Sequence, residues 1–194
     1  MAKKALVLLA DGFEEVEAIT PIDYLRRAGI ELSSAAAGES LDVTGSHGVS
    51  VRADTGLADL VKRAGGLSGL CRDLDAVLLP GGMPGASNLA ASLGVSALLS
   101  AMARDGKIIA AICASPALVL APLGLLRGKR FTCYPGMEQG LGGTGPWSED
   151  RVVIDGNIIT SRGAGTAAAF AIAVIGRLAG EAAGAKVAQA VLLD

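Results

Sequence analysis

The sequence predicts an α/β sandwich, a mostly parallel sheet with helices on both faces. Three observations carry that expectation. Several apolar runs are short and continuous, as strands covered on both sides require. Segments with helical periodicity or helix punctuation separate them, and strands alternating with helices imply parallel pairing through crossovers. No linker, internal repeat or low-complexity tract interrupts the 194 residues, which predicts one domain over 1–194 with room for a sizeable core.

The elements follow in chain order. "KALVLLA" (4–10) is a first buried strand. "EEVEAITPIDYLRRAG" (14–29) is an amphipathic helix, acidic at its start, basic at its end and stopped at Gly29. "IELSSAAA" (30–37) is the next strand, and "HGVSVRAD" (47–54) a short strand or hairpin arm. "DAVLLPGG" (75–82) is a buried strand ending in Pro-Gly-Gly. A helix over 94–106, a strand over 107–113 and a helix over 115–126 come next. "RVVIDGNIIT" (151–160) is a pair of strands around an Asp155-Gly156 turn, followed by an Ala-rich helix near 165–180 and a last helix.

Composition narrows the function. Hydrophobic residues are 51% and aromatics only 3%, so the core must be small aliphatic side chains packed closely. A formal charge of -2, no basic block and scattered Trp147, Tyr24 and Tyr134 argue against a nucleic-acid surface. Three cysteines, Cys71, Cys113 and Cys133, are an odd number without paired spacing; with no secretion signal read at the N-terminus, they predict free thiols in a reducing cytoplasm. The uncharged run 108–126 is long enough to suggest a membrane span, but Pro116, Pro122 and the Ala-Ser-Pro break divide it into strand and helix. No membrane partner is expected.

In open parallel sheets, ligands sit beyond the carboxyl ends of the strands. Three unusual stretches fall at such ends: "ADGFEEVE", "PGGMPGA" and "CASP". In "AAICASPA" (110–117), Cys113 stands between small residues, as a sharp strand-to-helix turn carrying a nucleophile requires. Ser115 is placed to cap the following helix and Pro116 suits its first turn, so the dipole would favour a thiolate. The same letters also fit an inert buried thiol.

Glu14, Glu15 and Glu17 open the first helix. Dipole complement and solvent exposure account for Glu14 and Glu15. Glu17 differs, because Pro21 has no N–H to offer its carbonyl and the helix should distort there. A partly buried Glu17 would have a raised pKa and suit acid/base work beside a thiol, though an exposed Glu17 fits the periodicity as well. "LPGGMPGA" (79–86) offers bare backbone N–H groups for an oxyanion, or is an ordinary turn. "GLGGTG" (140–145) matches a dinucleotide-binding spelling but lacks a strand before it and an apolar helix after it, so it reads as a loop. "TSRGAGTAAAF" (160–170) runs from strand to helix and either shapes the site or packs that helix on the sheet.

Four stretches carry a resemblance: "KALVLLADGFEEVEAITPIDYLRRAGI", "DAVLLPGGMPGA", "AAICASPALVLAP" and "TSRGAGT". In this order and at these spacings the chain resembles the ThiJ/PfpI superfamily from end to end, in the branch of the Parkinson-disease-associated deglycase and its YajL-type bacterial relatives. The resemblance implies a flavodoxin-like sandwich, a homodimer, and no metal or organic cofactor. It makes Cys113 the oxidation-prone nucleophile and Glu17 the carboxylic acid hydrogen-bonded to it. It assigns Gly81, Gly82 and the Ala114 N–H to an anion pocket, and Arg27 to the dimer interface near the neighbouring site. One departure stands out: where several members carry a histidine before the proline of "FTCYPG", this chain has Tyr134. Its only histidine, His47, lies near a position where relatives carry an arginine facing the interface, and "AGGLSGLCR" (64–72) is longer than usual for this branch and reads as a surface loop.

The implied function is a cofactor-independent glyoxalase or deglycase acting through Cys113 and Glu17 on methylglyoxal-type 2-oxoaldehydes or their adducts. The competing reading is a redox-sensing or chaperone-like stress protein that uses the same oxidisable cysteine. A peptidase or amidase would need a positioned base, and the missing histidine weighs against it.

Overall fold

The computed structural model describes residues 2–193. Seven strands form the main sheet: β1 (Lys4–Leu9), β2 (Glu31–Ala36), β5 (Thr55–Gly56), β6 (Ala76–Leu79), β7 (Ile108–Ile112), β8 (Val152–Asp155) and β9 (Ile158–Ser161). Their order is β5-β2-β1-β6-β7-β9-β8, every neighbouring pair parallel except the edge pair β8–β9. The 151–160 hairpin is therefore as expected, with Asp155 opposite Ile158. Residues 47–54 supply β4 (Ser50–Arg52), which pairs antiparallel with β3 (Asp42–Thr44) in a separate ribbon.

Alternation along the buried strands feeds two cores, since successive side chains point to opposite faces. Leu6, Leu8, Val77 and Leu79 face one layer with Leu98, Leu99 and Met102 of α5 (Leu93–Arg104). Ala5, Val7, Leu9 and Leu78 face the other with Leu25 of α1 (Glu15–Arg27) and Phe170, Val174 and Ile175 of α6 (Ala167–Ala179). α7 (Glu181–Ala190) covers that second layer. All three phenylalanines are buried, and small residues fill much of the rest, as the composition requires.

Two local expectations are corrected. Residues 64–72 are not a surface loop: α2 (Leu57–Arg63) leads into α3 (Leu67–Asp73), whose Leu70 and Cys71 are buried in the first core. The apolar spacing of Leu67, Leu70 and Leu74 carried this signal. Residues 115–126 are not a full helix: Pro116–Leu120 forms one π-helical turn and the chain then passes into turns. α4 (Gly85–Ala91) packs beside that turn. Among the described residues no single helix is long and apolar enough to cross a membrane. Residues 140–145 lie in turns without regular structure, so the dinucleotide spelling has no strand–turn–helix context.

Candidate active site

The chain turns from the α1/β2 side of β1 to the β6/β7 side, so the crevice at the carboxyl ends of β1, β6 and β7 is the topological switch point. The β1–α1 and β6–α4 loops lock together there. Glu14 N–H donates to Gly81 O at 3.0 Å and Gly85 N–H to Gly12 O at 3.1 Å. Gly82, at φ 86°, lies so close to the backbone of Gly12, Phe13 and Glu14 that no side chain fits.

Cys113 follows β7 directly and sits at φ 64°, one of two non-glycine residues with positive φ among those described. That left-handed backbone costs a residue with a Cβ roughly 1–2 kcal/mol and must be held by its surroundings. Cys113 N–H donates to Ser161 O at 3.0 Å, and Tyr134 N–H donates to Cys113 O at 2.9 Å. The Ser115 hydroxyl does not cap the next turn; it donates to Pro80 O at 2.5 Å, tying the cysteine turn to the glycine loop. Pro116 opens the turn as expected.

Glu17 is buried on α1, which runs without a break through Pro21. Its Oε2 accepts from Gly81 N–H at 2.8 Å, while Oε1 is buried without a partner among the described residues. A Cβ on Gly81 would meet Glu17 Oε2 at 2.8 Å and Ala114 N at 3.0 Å, and would collide with Cys113 Cβ. Gly81 is thus the spacer that lets carboxyl and thiol approach. Its N–H serves Glu17, whereas the N–H groups of Gly82 and Ala114 face the Cys113 sulfur.

Burial pushes the Glu17 carboxyl up to about 7, against the lowering effect of the Gly81 N–H and the Cys113 thiol. Burial and then the Glu17 charge push the Cys113 thiol up to about 12, against the Gly82 and Ala114 amides. The thiolate expected from a helix dipole is not what this site offers, because the following helix is a single short turn and desolvation wins. The two groups act as one unit: when Glu17 holds the proton its repulsion disappears, and its O–H stabilises sulfur anion instead.

Glu15 is buried, not solvent-facing. Its Oε1 accepts from His47 N–H at 2.7 Å and its Oε2 lies 2.9 Å from His47 Nδ1. Burial alone would raise its pKa, but the His47 ring and the backbone N–H groups around it bring it down to about 2. Glu14, Glu15 and His47 also present ligand atoms within 4.8 Å of one another, a set that their mutual hydrogen bonding accounts for as an ion pair. Arg27 pairs with Asp23 Oδ2 at 2.6 Å on its own helix. Ten residues beyond Glu17, it stands about 15 Å away along the axis at 1.5 Å per residue, so it does not reach the site of its own chain.

Tyr134 is half exposed beside Gly163, where a Cβ would stand 3.6 Å from Tyr134 Cδ2 and 3.8 Å from Glu17 Oε1. The "TSRGAGT" stretch therefore borders the site as well as starting α6. Cys133 is buried and pushed up to about 11 by desolvation; all three cysteines are unpaired. The Glu15–His47 bond and the Ser161 contact had no local signal, since their partners lie 32 and 48 residues apart.

The DJ-1/PfpI family model matches residues 3–177. The chain belongs to the DJ-1/PfpI family. Protein dj-1beta of Drosophila melanogaster is 40% identical over 100% of this chain and 98% of its own length. A deglycase of Pyrococcus abyssi is 32% identical over 82% of this chain and 89% of its own. The chain spans only 41% of DJ-1 homolog B of Arabidopsis thaliana and 47% of homolog A, so family members also occur in longer chains. The crystal structure of Drosophila DJ-1beta superposes with a TM-score of 0.90 at 40% identity, covering 100% of both chains. Oxidized Toxoplasma gondii DJ-1 gives 0.89 at 38% identity over 98% of each. The fold is the DJ-1-type, flavodoxin-like α/β arrangement that the sequence implied.

Proposed function

We propose that this DJ-1/PfpI protein is a cofactor-independent glyoxalase or deglycase acting on methylglyoxal-type 2-oxoaldehydes or their adducts. The observation that carries the reading is a cysteine held at φ 64° against a buried carboxyl whose pKa is near 7. Such a group is populated as both acid and base at neutral pH, as a proton shuttle requires.

The chemistry balances with water as the only co-reactant. Glu17 carboxylate takes the Cys113 proton as sulfur bonds to the aldehyde carbon. The carbonyl electron pair moves to oxygen, which the Gly82 and Ala114 N–H groups hold and Glu17 reprotonates. Glu17 then removes the hydrogen of that carbon as a proton and returns one to the neighbouring carbonyl carbon, while the hydroxyl proton passes to the former ketone oxygen, leaving a thioester of a 2-hydroxy acid. Water cleaves the C–S bond, releasing lactate from methylglyoxal and restoring the thiol. Glycated side chains would enter through the same adduct.

The test is lactate formed from methylglyoxal without glutathione by wild type, Cys113→Ser and Glu17→Gln. Turnover in wild type that both substitutions abolish supports the reading; no turnover by wild type with its thiol reduced overturns it.

One observation favours a second reading. The unpartnered Glu17 Oε1 offers a protonated carboxyl to an oxidised sulfur. Two equivalents of peroxide would take Cys113 to a sulfinate with release of two waters, and no turnover is needed. A homodimer is supported by exposed Val16 and Ile19 on α1 with Val49 in the ribbon, an apolar patch around the His47–Glu15 pair. Three unpaired cysteines support a cytoplasmic protein.

A further inference from the structure

A cleft of about 470 Å³ opens between Tyr134 and the Gly163–Thr166 turn, with Arg151 and Arg162 on its walls. It adjoins Glu17 of the reacting pair, because a Cβ on Gly163 would stand 3.6 Å from Tyr134 Cδ2 and 3.8 Å from Glu17 Oε1. Methylglyoxal, with three carbons, would occupy only a small part of it. No carboxylate lines the cleft, and neither arginine forms an ion pair among the described residues.

Each guanidinium makes one hydrogen bond to a backbone carbonyl. Arg151 donates one N–H to Gly165 O at 3.1 Å, and Arg162 donates one to Glu149 O at 3.0 Å. A guanidinium has five N–H donors in a fixed fork, so each keeps donors free after this anchoring. Two oriented forks with no internal counter-charge match a carboxylate or phosphate, which Arg binds bidentately.

We infer that this cleft binds an anionic group of the substrate, so that the site takes 2-oxoaldehydes or adducts carrying a carboxylate or phosphate. The reacting carbon sits on Cys113, the chain crosses Gly163, and the anion lies between Arg151 and Arg162. Tyr134, in the place of the family histidine, forms the wall between the two parts. The inference rests on Cys113 as the reacting group, but the anion site is measurable without any turnover.

The probes are inorganic phosphate and acetate, titrated into the full chain while the backbone amide resonances of Gly163, Gly165 and Thr166 are followed by NMR. Saturable shifts there are expected, tighter for phosphate if the site was built for a phosphoryl group and tighter for acetate if for a carboxylate. Arg151→Gln with Arg162→Gln should weaken the saturable binding at least about tenfold, the scale of one charge-assisted hydrogen bond. Arg151→Lys, on an exposed side chain, serves where the double variant does not fold, and should weaken binding by removing the fork while keeping the charge. Shifts that never saturate, that persist unchanged in the variants, or that appear at Gly82 and Ala114 instead would overturn the inference. Absent lactate formation with saturable phosphate binding removes the proposed reaction and leaves the anion site; the reverse removes only the anion site.

Discussion

Glu17 and Cys113 share one buried site in which the carboxyl spends Oε2 on the Gly81 N–H, 2.8 Å away, and leaves Oε1 with no partner among the described residues. A group so placed is costly to ionise. Its pKa rises from 4.5 to about 7 because burial outweighs the Gly81 bond. The native state therefore holds a proton that the unfolded chain releases between those values. The Glu17 contribution to stability is full below 4.5 and is lost as pH rises through about 7. A shift of this size corresponds to about 3 kcal/mol at most. Glu17→Gln should remove that slope, so that urea unfolding shows the variant gaining on wild type from pH 5 to 8. Parallel curves for the two proteins would mean the carboxyl is not desolvated.

The strain at Cys113 has its own test. At φ 64° a Cβ is unfavourable and a glycine is not. Cys113→Gly and Cys113→Ala both lose the sulfur, but only glycine relieves the backbone. The glycine variant should be the more stable of the two by about 1 kcal/mol, the reverse of the usual order at an ordinary strand end. Equal stability in calorimetry would show that the turn is not strained.

Two glycines around the pair should behave oppositely. Gly81→Ala forces a methyl group into Cys113 Cβ and to 2.8 Å from Glu17 Oε2. Overpacking of this kind costs roughly 1–3 kcal/mol, or several degrees in Tm for a chain of this size. Gly163 has extended backbone at φ 168°, and its added Cβ would find only ordinary contacts at 3.6–3.9 Å. Gly163→Ala should leave Tm within about a degree or two while slowing iodoacetamide alkylation of Cys113, because the methyl stands in the approach between Tyr134 and Glu17. Alkylation unchanged in Gly163→Ala would mean that the thiol is reached from another side.

These contrasts show which parts of the site were legible in sequence. The strands that end at Gly81 and Cys113 are continuous apolar runs, and their order brings the glycine loop and the cysteine turn to one sheet edge by topology alone. Small residues around Cys113 announced a sharp turn. The ionisation state did not follow, because a dipole argument needs a helix where the chain makes one π-helical turn, and because desolvation depends on which side chains close over the sulfur. The dipole argument misplaced Glu15 in solvent for a similar reason: its partner His47 comes from a ribbon whose docking on α1 leaves no trace near either residue. Cys71 escaped a length comparison with the family, which says nothing about burial; the short apolar spacing of Leu67, Leu70 and Leu74 carries that signal.

The Glu15–His47 pair supplies the last expectation, and its two members act in opposite pH ranges. Glu15 is held down to about 2, so its contribution is present above its ordinary value of 4.5 and is lost as pH falls through 2. His47 is raised above its ordinary 6.5 by the hydrogen bond it donates to Glu15 and by the charge of Glu14, so its contribution is full below 6.5 and fades as pH rises through the raised value. Between 4.5 and 6.5 both are complete. His47→Ala should therefore lower Tm most near pH 5.5, and less at pH 9, where the imidazole is neutral and only its hydrogen bond is lost. Glu15 keeps the backbone N–H groups of His47 and Val49 in the variant, so its pKa should rise but stay below 4.5. The check is Tm against pH for both proteins, with carboxyl titration by NMR. A Tm difference that grows toward pH 9 would show that the ring contributes as a neutral hydrogen-bonding group and not as a cation.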